Sequence, residues 1–159
     1  MRVCSFTGHR QIKRTHTAPL TELLDRAVEY AYSQGCRLFL SGGAVGFDTL
    51  AARRVLAFRV THPDVELELV LPCLNQDEKW TDPQKDAYAF LLSRADRVRY
   101  VAEEYSEGCM RERNAILASE ADLLIAYISR PSSGSAQTAR MAEKLGKRVY
   151  NLYPAADGL

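Results

Sequence analysis

Short β-rich runs alternate with longer amphipathic runs along this chain, and that alternation restricts the fold more than any other feature of the sequence. Apolar and β-branched clusters at about residues 2–6, 37–40, 66–71, 97–100, 123–127 and 148–153 read as strands. Between them, apolar residues recur at helical spacing. Leu20, Leu23, Leu24, Ala27, Val28 and Ala31 form one stripe, entered through Pro19 and stopped at Gly35. Comparable patterns cover about residues 46–60, 83–94, 110–119 and 135–145, the last ended by Gly146. A strand followed by a returning helix gives a parallel sheet. The expected fold is α/β: a doubly wound, mostly parallel sheet of about six strands with helices on both faces, in a single domain over residues 1–159.

Right-handed crossovers bring every strand-to-helix loop of such a sheet to one rim, where open α/β sheets bind ligands. That rim carries "TGHR" (7–10), "SGGAVGFD" (41–48), "PCLNQDEKW" (72–80), "SEGCMRERN" (106–114) and "SRPSSGSAQT" (129–138). With 21 Lys and Arg against 20 Asp and Glu, the net charge of +1 supplies no global field toward nucleic acid or an anionic membrane. Any anion must therefore be held locally. Apolar runs such as "DLLIAYI" are too short to span a bilayer, and "MRVCSFTGHR" lacks the apolar stretch of a secretory signal. The expectation is a cytoplasmic protein with no membrane partner. Cys4, Cys36, Cys73 and Cys109 form no C-x-x-C pair and read as reduced thiols. His9, His16 and His62 lack ligand spacing, so neither a metal nor a cofactor is expected.

In "LSGGAVGFDTLAA", Gly42, Gly43 and Gly46 form G-G-x-x-G, which is neither the dinucleotide fingerprint nor a P-loop. The stretch is a strand, a glycine turn and a helix start. It suits a phosphate or ribose, and it equally suits a tight turn in which Asp48 complements the helix dipole. "SSGSAQTARMA" places a second small-residue helix start on the same rim, with Ser135 either a ligand contact or an N-cap. In "MRERN", Met110, Arg113, Asn114 and Leu117 share a face and Arg111 and Glu112 turn away, which brings the Arg113 guanidinium to the cleft as a phosphate fork. His9 of "TGHR" reads as a general base, a ribose partner or a satisfied loop residue. In the third loop Gln76 is a polar reader, Trp80 a stacking platform or a packing anchor, and Cys73 a nucleophile only in an electropositive setting.

Taken in order along nearly the whole chain, "SFTGHR", "LSGGAVGFDTLAA", "LPC" with Gln76 and Trp80 beyond it, "MRERNAILASEADLLIAY" and "GSAQTARMA" resemble the SLOG superfamily. That superfamily groups the DNA-processing DprA/SMF proteins, the LOG phosphoribohydrolases and the YpsA-like proteins. The early T-G-H-R and the S-G-G-A-x-G-x-D follow the YpsA-like pattern. The resemblance implies a Rossmann-like sheet and a pocket for a nucleotide or an ADP-ribose-like derivative. Ser41, Gly42 and Gly43 would approach the ligand, Arg113 would stand at the LOG arginine, and Gly134, Ser135 and Thr138 would form a second phosphate or ribose loop. Thr7, Gly8, His9, Arg10, Gly46, Asp48, Gln76 and Asn114 complete the candidate set, and no residue is assigned a catalytic role.

LOG enzymes follow their P-G-G-x-G-T with a glutamate, whereas here Ala139, Arg140 and Met141 follow Thr138. A carboxylate offsets the positive charge that builds on ribose during N-glycosidic cleavage. On the shared rim, Asp48 and Glu112 are the nearby substitutes for it. The first expectation is therefore a nucleotide-type binding module with a sensor or regulatory role. LOG-like hydrolysis of a nucleoside monophosphate is the alternative. DprA-like binding of single-stranded DNA is a second alternative, along a strip of Arg10, Lys13, Arg14, Arg53, Arg54, Arg111, Arg113 and Arg140. A homodimer through helices is implied by the resemblance alone.

Overall fold

Each run becomes an element in the computed structural model, which describes residues 2–158. The order is β1 (Arg2–Gly8), α1 (Thr17–Ser33), β2 (Cys36–Ser41), α2 (Phe47–Thr61), β3 (Glu66–Cys73), α3 (Asp82–Arg94), β4 (Arg97–Ala102), α4 (Cys109–Glu120), β5 (Leu123–Tyr127), α5 (Gly134–Lys144), β6 (Arg148–Asn151) and α6 (Tyr153–Gly158). A 3-10 turn, Arg14–His16, precedes α1. That helix starts two residues before Pro19, which is tolerated because the first-turn N–H groups have no helical partner to lose. Four strand ends differ from expectation by two residues, with β1 and β4 running on to Gly8 and Ala102. β3 runs on to Cys73, whereas β6 stops at Asn151 because the Asn151 side-chain oxygen accepts from Ile128 N (3.0 Å) and Tyr153 N (3.2 Å) and turns the chain into α6.

All pairings in the sheet are parallel, in the order β4-β3-β2-β1-β5-β6. Cys4, Ser5, Phe6 and Thr7 of the central strand are buried in succession, as a strand covered on both faces requires. The chain steps outward from β1 through β2 and β3 to β4, then returns to lay β5 against the other side of β1. That reversal opens a crevice above β1 and β5. On one face Phe6 stacks on Phe39 with centroids 6.1 Å apart and meets the edge of Phe47, which in turn stacks on Tyr127 at 5.8 Å. Leu38, Leu40 and Val70 point to the opposite face and pack on Leu117 of α4, which lies beside α5.

Two tethers fix the margins. Arg99 of β4 donates to Glu68 (3.0 Å) and to Glu120 (2.7 Å), tying the edge strand to β3 and to the end of α4. Buried His16 lies between the Tyr127 hydroxyl (2.8 Å) and the Asp157 carboxylate (2.9 Å), so α6 is clasped to the end of β5. Among the described residues no helix is long and apolar enough to cross a membrane, and no group of three or more His, Cys, Asp or Glu is placed to hold a metal.

One glycine decides how close the first two rim loops come. Gly46 has φ +81°, and a Cβ there would overlap the Arg10 carbonyl, beside the bond from Phe47 N to His9 O (3.1 Å). Gly146 has a similar φ of +77° but open space around it. Gly146→Ala should therefore cost about 1 kcal/mol, the backbone strain alone, and Gly46→Ala about 2–4 kcal/mol. Urea unfolding at unchanged m-value measures both, and equal losses would refute the steric account.

Candidate functional site

The crevice above β1 and β5 is a cavity of about 450 Å³. Its walls are Thr7, Gly8, His9, Arg10 and Gln11 after β1; Ala44 and Asp48 after β2; Met110, Arg113, Asn114 and Leu117 of α4; and Arg130, Ser133, Gly134 and Ser135 after β5. The four α4 residues are the ones that helical spacing places on one face. A second compartment of about 590 Å³ adjoins it through Arg10 and Met110, and is walled by Pro72, Cys73, Asn75, Gln76, Glu78, Lys79, Trp80 and Tyr105.

Arg113 is only 5% exposed. Its Nη1 donates to Gly42 O (2.6 Å) and its Nε to Asn114 Oδ1 (3.0 Å). Gly42 has no room for a side chain, because a Cβ would overlap the guanidinium and approach Asp48. The guanidinium is thus built into the wall and is not the free phosphate fork that the sequence suggested. Burial lowers its pKa and the Asp48 charge opposes that shift.

Asp48 is the cleft's buried carboxylate. Its Oδ2 accepts from Ala44 N (3.3 Å), while Oδ1 is buried without a partner among the described residues. Burial pushes its pKa up to about 6, against the opposing pull of Arg113, the Ala44 N–H and Arg10. At neutral pH Asp48 is therefore mostly an ion with one unsatisfied oxygen.

His9 has a fixed tautomer. Its Nε2 accepts from Ser129 N (2.8 Å), so in the neutral ring the proton sits on Nδ1, which has no partner among the described residues. Burial, and then the nearby Arg130 charge, lower its pKa. His9 consequently offers the cleft a donor and no basic lone pair.

The glycine turn differs from expectation in what its donors do. Gly43 N is taken by Ser41 Oγ (3.2 Å), Ala44 N by Asp48 and Phe47 N by His9 O, so these three donors of the turn are already met by the protein's own oxygens. Ser41, itself buried, also donates to Asp48 O (3.0 Å), and Gly43 backs onto Leu71. Ser41, Gly42, Gly43 and Gly46 shape the wall rather than line it. Thr138 is buried within α5, where its hydroxyl donates to Gly134 O (3.0 Å). The N-cap of α5 is Ser133, whose Oγ accepts from Ala136 N (3.2 Å); Gly134 and Ser135 form the first turn and face the cavity.

Gln76 and Trp80 lie in the second compartment, with Trp80 edge-on to buried Tyr88 at 5.1 Å. The Cys73 thiol there is pushed up by burial and by Cys109, the opposite of an activated nucleophile. Gln11 and Arg130 were not singled out in the sequence; the signal for Arg130 was its place in the loop after β5, ahead of a proline. Glu112 lines a separate groove of about 680 Å³ on the outer faces of α4 and α5, with Ile116, Met141 and Leu145. That groove is larger and mainly apolar, whereas the polar groups converge in the cleft.

Residues 6–153 match the YspA SLOG family. The chain belongs to that family. The UPF0398 protein of Bacillus thuringiensis (strain Al Hakam) is 25% identical over 162 residues, covering 96% of this chain and 88% of its own length. In fold, the chain is similar to DNA processing protein A of Streptococcus pneumoniae, with TM-score 0.67 and 16% identity over 95% of this chain and 50% of that one. It is also similar to DNA processing protein A of Helicobacter pylori, a structure described for its single-stranded DNA binding mode, with TM-score 0.64 and 18% identity over 93% of this chain and 63% of that one. The chain thus spans less than two thirds of either DNA processing protein. At these identities the two structures establish the Rossmann-like SLOG fold, which the all-parallel sheet shares.

The Asp48 carboxyl has a testable signature. In the unfolded chain it ionises near its ordinary 3.8, in the folded chain near 6, so the folded state holds the proton longer and stability falls as pH rises through that window. The loss amounts to about 3 kcal/mol, reached above pH 6. Asp48→Asn keeps the shape and avoids the ion. It should match the parent near pH 4 and exceed it by up to about 3 kcal/mol at pH 8. Thermal unfolding at the two pH values measures the difference, and no gain at pH 8 would mean that Asp48 ionises without cost.

Proposed function

We propose that this chain binds a nucleotide or a nucleotide-derived, ADP-ribose-like ligand in the β1–β5 cleft and acts as a sensor or regulatory module. The observation that carries the reading is the Asp48 oxygen, buried and unpartnered in a wall otherwise rich in donors. A ribose hydroxyl is the group that would satisfy it, since it brings a proton and no negative charge. The phosphate belongs away from that carboxylate, at the start of α5, where Gly134 and Ser135 present a helix N-terminus and Arg130 stands in the loop before it. The His9 Nδ1–H adds a neutral donor.

Binding is favoured over LOG-like cleavage by the place of the acids. Glu112 lines the other groove, the turn after Thr138 supplies no carboxylate, and Asp48 is held by Ala44 N beside Arg113. The DNA reading draws on the fold of the Helicobacter pylori protein. The cations expected to form a strip are scattered, however: Arg54 pairs with Asp25, Lys13 with Asp157, Arg53 lies over Phe90 and Arg113 is buried.

Thermal denaturation with AMP and ADP-ribose tests the proposal. A hundredfold excess over Kd should stabilise the fold by about 2.7 kcal/mol, with no free base released on incubation. Arg130→Ala, at the cleft mouth, should weaken binding about tenfold or more, the value of a charge-assisted hydrogen bond. Asp48→Asn should bind more weakly while melting higher at neutral pH. An unmoved melting temperature across both ligands rejects the reading. Release of base would favour the hydrolase, and oligonucleotide binding that falls steeply with salt would favour the nucleic-acid alternative.

A further inference from the structure

The second compartment has walls of a different chemistry from the first. Glu78 and Lys79 offset each other there and leave Arg10, shared with the first compartment, as the remaining cation, whereas Arg10, Arg113 and Arg130 outnumber Asp48 in the first. Its distinctive surface is aromatic. Trp80 is half-buried, with one edge against Tyr88, and stands immediately before the Thr81 capping box that starts α3. Tyr105 is 69% exposed, yet its backbone is tied down: its N–H donates to Asn75 Oδ1 (3.2 Å), and Leu74 N donates to Glu103 O (3.1 Å), joining the loops after β3 and β4. Two aromatic side chains thus line the compartment, one packed on Tyr88 and the other carried on a tied backbone.

The amides complete the pattern. Asn75 is already used, accepting from Tyr105 N and donating to Glu78 (3.3 Å). Gln76 is less committed: its Nε2 makes one long bond to Gly43 O (3.4 Å), its Oε1 has no partner among the described residues, and the buried Tyr88 hydroxyl lies beside the amide. Gln76 therefore keeps both a donor and an acceptor for the edge of a planar heterocycle.

We propose that the second compartment holds the nucleobase of the ligand, lying against Trp80 and Tyr105 with its edge toward Gln76, while the ribose and phosphate occupy the first compartment and Arg10 spans the junction. This assignment rests on the nucleotide reading of the cleft and names the moiety that its other half recognises. A planar aromatic ring suits a compartment lined by two aromatic side chains and an amide, with Arg10 at its junction with the first.

Trp80 is the protein's single tryptophan, so its emission reports on this compartment without any substitution. AMP and ADP-ribose should change that emission, whereas ribose 5-phosphate should raise the melting temperature and leave the emission unaltered. Loss of the base should weaken binding about tenfold or more, within the range of a single base–aromatic stack. Tyr105→Ala, at an exposed position, should weaken AMP by a similar factor and leave ribose 5-phosphate unchanged. If AMP and ribose 5-phosphate bind equally, or alter the emission equally, the base assignment fails and the first-compartment reading survives. If none of the three binds, both fall together.

Discussion

Arg113 has left water, and a guanidinium out of water must be met by oxygen. Gly42 supplies a carbonyl, Asn114 an amide oxygen, and Asp48 a negative charge close by. Removing one of the two oxygens that accept from the guanidinium leaves an N–H buried without a partner, at a cost of about 1–3 kcal/mol. The turn after β2 is therefore shaped around the end of a side chain from α4, on the opposite face of the sheet. Gly42 lacks a Cβ because the guanidinium occupies that space, and Asp48 is held in place by Ala44 N. The two layers meet above the strand ends, and the wall of the cleft is set by the protein's own contacts.

The charges of the cleft are divided in space. Asp48 has an oxygen unsatisfied and feels the charges of Arg113 and Arg10, while Arg130 belongs to the loop that leads into α5. A ligand that is anionic throughout would meet the carboxylate. One that carries its hydroxyls and its phosphate on different atoms avoids that conflict. The net charge of +1 is therefore a poor guide to this surface, since the relevant field is set over a few ångströms by four groups.

The architecture was legible because periodicity survives tertiary packing. The stripe from Leu20 to Ala31 and the buried run from Cys4 to Thr7 require a helix and a covered strand whatever surrounds them. The family was legible from the order of the rim motifs, and residues 6–153 match it. Individual donors were not. "SGGAVGFD" looks like an open backbone in one dimension, yet Ser41, Asp48 and His9 take its N–H groups through contacts that spacing does not record. The burial of Arg113 was hidden for a related reason: helical spacing gives the face of a residue and not the depth of what lies over it. Arg130 escaped notice because it belongs to no motif and acquires its place only when β5 is laid beside β1.

The pairing of β1 with β5 has a kinetic side. Cys4 lies opposite Leu123, and the Val3 N–H is met by Asp122 (2.9 Å), so the seam beneath the cleft joins segments separated by more than a hundred residues. Contacts of such separation require a large loop to close before they contribute, and they form late. β2, β3 and β4 can assemble beside β1 by successive shorter crossovers while the other flank of β1 is still open. A half-assembled sheet would thus have β1–β4 in register and no cleft. The cleft is therefore among the last features to mature, and its two walls face each other only in finished molecules.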